Sequence, residues 1–283
     1  MSDIKPLVSK LANANNSKEK LKIILELGEL KEEKALRTLF QLLSTEDDNK
    51  IKSHVADAII KIGGSKAVDF SIKLLRDASW VTRMKAAEIL GELKDKKATN
   101  ALIRTLKTDK EASVREWTVI GLGEIGDKKA VRVIIQTMMT EQNWQIRKES
   151  ALALGKIKDK RAKKSLVTSF QTDVEYQVKW AAISALSKIN DDEETKKLVN
   201  TLTQDLANII QTEKDETLLS AAAKTLGEIG NIAAAKLMFK TMKISKELVR
   251  LEINLALGKM AKRFNYPTKD EFMNLLKHEN KNL

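Results

Sequence analysis

Residues able to carry catalysis are few and scattered in this chain. Two histidines, His54 and His278, stand too far apart to share a site easily, and no cysteine occurs in 283 residues. Thiolate nucleophiles, disulfides and Cys-based metal centres are thereby excluded. Glu29, Glu92, Glu124 and Glu228 form a carboxylate series, but each closes a predicted helix, where solvation or pairing with a lysine is the default. No Ser–His–Asp set, phosphate-cradling Gly loop or paired-carboxylate arrangement is legible, and no cofactor or metal is called for. What the sequence offers in quantity is positive charge: 51 Lys and Arg against 39 Asp and Glu, a formal net charge of +12. Such a balance favours acidic partners, whether nucleic acid, acidic protein segments or anionic membrane surfaces. The bland alternative is a basic surface that is simply solvated.

The elements that must position these charges are helices. Aromatics make up 4% of the chain and prolines number two, Pro6 and Pro267, while Leu, Ala, Lys, Glu and Ile dominate. A segment of the form apolar, small, Glu or Lys, apolar closes a helical pattern eight times, as in Leu27-Gly28-Glu29-Leu30, Leu122-Gly123-Glu124-Ile125 and Leu257-Gly258-Lys259-Met260. Its second residue falls at 28, 60, 91, 123, 155, 187, 227 and 258, a step of 31 or 32 residues with one step of 40. Each interval has room for a turn, a second helix, another turn and the next first helix, a helical hairpin per repeat. Asp95, Asp127 and Asp159 lead the turns, where a carboxylate can accept the orphan N–H groups of the following helix. The second helices then carry apolar residues at spacings of three and four, as in Val131, Ile134, Ile135 and Met138.

Val114-Arg115 and Ile146-Arg147, each with a closing Gly eight positions after the Arg, together with the Asp-led turn, resemble HEAT repeats of the short lyase-like type found in bacteria and archaea. Lys52, Arg83, Lys179 and Arg250 hold the same basic position, and Leu219 breaks the series. The resemblance runs from about Ser17 to Met260. It implies an all-α fold, an α-solenoid forming a right-handed superhelix of about eight hairpins, in one domain spanning 1–283. A cap is expected over about 1–30, with its helix from Lys18 to Leu30. The long step predicts a stretched repeat near 190–230, with a longer second helix from Glu194 to Ile210 and a polar turn from Gln211 to Glu216. Thr268 and Glu271 make a capping-box pattern that opens a final cap helix over about 268–279.

Counting from the small residue that starts each second helix, positions +2 and +6 share one outward face. They hold Arg37, Lys73, Arg104, Arg132, Lys164, Lys236 and Lys240, with one acid, Asp69. The resemblance implies that second helices line the concave surface, which would place these cations in a groove. A second basic cluster sits on the turns: Lys96, Lys97, Lys128, Lys129, Lys160 and Arg161. Lysine at a helix start opposes the helix dipole, so helix stability does not explain it. Trp80, Trp144 and Tyr176 share one repeat position at the entry of a first helix and read as staples between repeats; Trp117 and Trp180 read as packing residues.

Several HEAT-like enzymes set a standard that this sequence does not meet. Deoxyhypusine hydroxylase holds iron with several His-Glu pairs, whereas His278-Glu279 is one pair at the C-terminus. HEAT-like DNA glycosylases and bilin lyases have no motif here that matches residue by residue. The expected function is a non-enzymatic, protein-binding scaffold whose basic groove takes an acidic protein partner. Nucleic acid on the same surface is the alternative, weakened by the lack of aromatics interleaved with the cations; a lyase-like enzyme subunit comes third. No stretch of 18 apolar residues occurs and the first twenty residues lack a secretory core, so a cytoplasmic location without membrane insertion is expected.

Overall fold

The structure, a computed structural model, describes residues 4–14, 16–189, 193–214, 216–243 and 245–279. The chain divides into two compact units, Met1–Asp159 and Lys160–Leu283. All regular structure among the described residues is helical, and none of these helices is long and apolar enough to cross a membrane.

The first unit holds α1 (Lys5–Asn13), α2 (Ser17–Leu30), α3 (Leu36–Thr45), α4 (Asn49–Ile62), α5 (Gly64–Leu74), α6 (Trp80–Leu93), α7 (Thr99–Thr108), α8 (Ala112–Ile125), α9 (Val131–Thr140) and α10 (Trp144–Ile157). The even-numbered members from α2 onward are the first helices of the repeats, and α3, α5, α7 and α9 are the second. The helix α1 was not anticipated. Pro6 in its first turn and the i, i+4 pair Leu7 and Leu11 are the signal for it. Ile4 and Leu11 are buried in the core of this end.

Asparagine, serine and aspartate start these helices as their chemistry dictates. Asn143 Oδ1 accepts the Gln145 N–H at 2.9 Å, while Asp95 and Asp127 accept the N–H groups of Lys97 and Lys129 at 2.8 and 3.0 Å. Each of these aspartates opens a single 3-10 turn, Lys96–Ala98 or Lys128–Ala130, that leads into the second helix. At the other end, first helices stop in a left-handed residue: Lys31, Lys94 and Lys158 adopt φ of 51°, 54° and 55°, and Gly126 adopts 69°. Only Gly126 has the residue type that this conformation favours. Lys31→Gly is therefore expected to raise stability by about 0.5–1 kcal/mol, read as a higher melting temperature.

The second unit holds α11 (Lys163–Thr172), α12 (Tyr176–Ile189), α13 (Glu193–Thr212), α14 (Glu216–Ile229), α15 (Ile232–Met242), α16 (Glu247–Arg263) and α17 (Lys269–Glu279). The eight extra residues lengthen α13 to 20 residues, with α14 opening at Glu216 after a short turn. Thr268 Oγ1 accepts the Glu271 N–H at 3.2 Å and so starts the final helix. Phe272 and Leu276 of α17 are fully buried, and Tyr266 and Phe264 pack on the Phe272 ring at 5.0 and 5.9 Å between centroids. That helix closes the apolar end of this unit.

Candidate interaction face

The basic residue near the start of each first helix is structural. Arg83 donates from Nε and Nη2 to both carboxylate oxygens of Asp109, at 2.7 and 2.9 Å, and from Nη1 to the carbonyls of Asp77 and Ala78. Arg115 repeats the arrangement with Glu141 and the carbonyls of Asp109 and Lys110. One guanidinium thus ties the turn before its own helix to the end of the next second helix. Burial alone would raise the Asp109 and Glu141 carboxyls. The hydrogen bonds from Arg83 and Arg115, with backbone N–H donors, outweigh it and hold both below their ordinary values. Lys52 at the same position is buried and donates to Thr82 Oγ1 at 2.9 Å.

Of the four carboxylates that close first helices, Glu29, Glu124 and Glu228 pair with lysine, one of the two roles expected for them. Lys61 reaches Glu29 at 2.5 Å, Lys94 and Lys156 reach Glu124 at 3.0 and 2.5 Å, and Lys259 reaches Glu228 at 2.6 Å. Further cations of the first unit are paired too: Lys20 with Glu46, Lys66 with Glu33, Lys85 with Glu88, and Lys148 with Glu149. Lys97 of the turn cluster is taken by Asp69 at 2.5 Å, and Lys96 lends its charge to Asp127. Lys128 and Arg161 also have interactions of their own; Lys129 and Lys160 are on the 3-10 turns, Lys160 exposed.

The second-helix stripe differs. Arg37, Lys73, Arg104 and Arg132 are all exposed, on α3, α5, α7 and α9. None of the four has a salt bridge among the described residues; Lys73 Nζ stands 5.4 Å from the Phe70 ring. Lys73 and Arg104 line a cleft of about 560 Å³ between α5 and α7, together with Arg76. Sequence reasoning passed over Arg76, although it follows Lys73 by one turn. In the second unit Lys164 is exposed on α11, Lys236 is half-buried and engaged, and Lys240 lines a cleft of about 460 Å³ between α13 and α15.

The two rows of helices in the first unit pack differently. Its first helices meet backbone to backbone: a Cβ on Gly91 of α6 would lie 2.7 Å from the Gly121 Cα of α8, and one on Gly123 would lie 2.8 Å from the Ala153 Cβ of α10. The second helices stay apart, leaving the cleft between α5 and α7 and another of about 590 Å³ between α7 and α9. Within this unit the second-helix cations Lys73, Arg76 and Arg104 therefore line a cleft between neighbouring helices.

The aromatics also sort differently. Trp80 is 43% exposed, too open for a buried staple, and Trp144 and Tyr176 are half-buried. Trp117 and Trp180 pack partly, Lys224 Nζ standing 5.7 Å from the Trp180 ring. The His278 and Glu279 side chains lie outside the described residues, and among the described residues no group of three or more His, Cys, Asp or Glu is placed to hold a metal.

The family model for HEAT repeats matches residues 4–71, 46–121, 68–136, 103–187 and 131–213. The chain belongs to the HEAT-repeat family. Its helix pairs continue the same pattern to α17, past the last matched residue. No curated protein matches the chain. Among solved structures, the Kap95:Nup1 complex is similar at TM-score 0.62 and 12% identity, covering 91% of this chain and 43% of that one. Importin beta follows at TM-score 0.56 and 15% identity, with coverage of 90% and 40%. The chain thus spans less than half of either. The complex of CpcE and CpcF of phycocyanin lyase from Nostoc sp. PCC7120 matches at TM-score 0.46 and 21% identity, covering 90% and 94%. These likenesses concern the helical solenoid fold.

Proposed function

We propose that this HEAT-repeat protein is a non-enzymatic scaffold that binds an acidic protein segment along the second-helix face of its first unit. One observation carries the reading: that face holds its arginines without acidic partners, while cations of the first helices and turns in the same unit are paired. Unpaired like charges on neighbouring helices repel one another, and a run of carboxylates laid across the ridges relieves that repulsion. Lys73, Arg76 and Arg104 form the centre of the contact at their cleft, flanked by Arg37 and Arg132. Lys164, Lys236 and Lys240 would serve a comparable face on the second unit.

Fluorescence anisotropy with a labelled Asp/Glu-rich peptide tests this. Each exposed contact is worth about 0.2–1 kcal/mol, so Lys73→Ala, Arg104→Ala and Arg132→Ala together should weaken binding roughly tenfold and flatten its salt dependence. Equal affinity in the triple variant would remove the face from the account. Tighter binding of duplex DNA than of the peptide, with a steep fall in log affinity against log salt, would put nucleic acid in the partner's place.

A further inference from the structure

A breach of the inside–outside rule lies in the second unit. Leu248, Leu251 and Leu255 of α16 are 67%, 53% and 53% exposed. Their spacing of three and four puts them on one side of the helix, while Val249, Ile253, Ala256, Leu257 and Met260 fill the core on the other. At the same three positions before the closing small residue, α14 carries Thr217, Ser220 and Lys224, so the repeat itself does not require leucine there. Scattered exposed leucines need no explanation; three in a row on one helix do.

Leu255 opens into a cleft of about 520 Å³ beside the turn before α17. Lys224, Lys259, Lys262 and Lys269 line this cleft against one carboxylate, Glu252. Lys259 is held by Glu228, Lys269 donates to Asn254 at 3.1 Å, and Lys262 has no ion pair among the described residues. We propose that the α16 leucine stripe and its basic cleft form a docking site for an amphipathic helix of a protein partner, one with leucine-like side chains on its contact face and carboxylates on its flank. The charge decides the occupant. A second copy would bring the same lysines against these, whereas an acidic flank neutralises them. The stripe also lies on the closer-packed row of this unit, where a Cβ on Gly227 of α14 would come within 2.9 Å of the Ala256 Cα of α16.

The full-length chain should bind a synthetic helical peptide with leucines at i, i+3 and i+7 and glutamates on the flank, and should bind its lysine-flanked counterpart at least tenfold more weakly. Leu251→Ser with Leu255→Ser should weaken the glutamate peptide at least about thirtyfold, since burial of each leucine contributes strongly, with the melting temperature unchanged. Lys262→Glu, which leaves the leucines intact, should narrow the gap between the two peptides. In an Arg104→Ala, Arg132→Ala background, where the first-unit face is weakened, the gap between the two peptides and its loss in the leucine variant should both persist, so the two sites fail or stand separately. The proposal is overturned if both peptides bind alike, if the leucine variant binds as wild type does, if a wild-type dimer in sedimentation becomes monomeric in the leucine variant, or if anionic vesicles compete the peptide off.

Discussion

Gly91→Val is expected to lower the stability of the first unit by about 3 kcal/mol or more, because the added atoms have nowhere to go. A Cβ at Gly91 would meet the Gly121 Cα at 2.7 Å, and one at Gly121 would meet the Ala87 carbonyl oxygen at 2.9 Å. These obstacles are backbone, which cannot rotate aside as a long side chain would. The two first helices must separate, and every van der Waals contact along their seam weakens with them. For a unit of this size the loss corresponds to a fall in melting temperature of roughly 6–12 °C. Gly126→Ala supplies the comparison: its Cβ would meet nothing within 4 Å, and only the left-handed φ of 69° resists it. That change should cost about 1 kcal/mol. Equal melting of Gly91→Val and wild type would show that α6 and α8 are not in the contact described.

Arg83→Ala should be the most damaging charge change, costing about 2–4 kcal/mol in chemical denaturation. It strips Asp109, whose side chain is only 7% exposed, of both charge-assisted bonds and leaves the carbonyls of Asp77 and Ala78 without their donor. Asp109→Asn should recover part of the loss when added to Arg83→Ala, since an amide tolerates burial better than an unpaired carboxylate. The same staples set an acid limit. Because Asp109 and Glu141 titrate lower when folded than when unfolded, their contribution is complete above the unfolded carboxylate range, near pH 4. It is lost as pH falls through their folded values. Stability should therefore decline on acidification below about pH 4, and less steeply in Arg83→Ala, where the shift at Asp109 is largely gone. Identical acid profiles would contradict the staple.

Helix existence and the hairpin order were legible because each depends on residues close in sequence: a three-four apolar pattern, a capping Asp or Asn, a small residue at helix closure. For Glu29, Glu124 and Glu228 the local pattern left solvation and lysine pairing open, and the structure shows pairing with a lysine of a neighbouring repeat. The role of the Arg83 and Arg115 series was not. Its partner lies 26 residues on, at the end of another helix, and nothing local marks Asp109 or Glu141 as buried. How closely each helix row packs was also hidden. Periodicity says which side of a helix faces the core, but the approach of neighbouring repeats is set by contacts between helices two elements apart, such as Gly91 on Gly121. The short α1 was overlooked because nine residues around one proline make a weak pattern until Ile4 and Leu11 are seen buried.

The central claim, that the unpaired second-helix cations of the first unit recruit an acidic protein, is tested most directly by a tagged pull-down from native cell extract at low and moderate salt, with nuclease treatment of half of each sample. The account predicts a defined protein that survives nuclease, diminishes with salt and is lost when Lys73, Arg104 and Arg132 are alanine. Recovery of nucleic acid or nuclease-sensitive proteins alone, or full recovery of the protein by the triple variant, would contradict it.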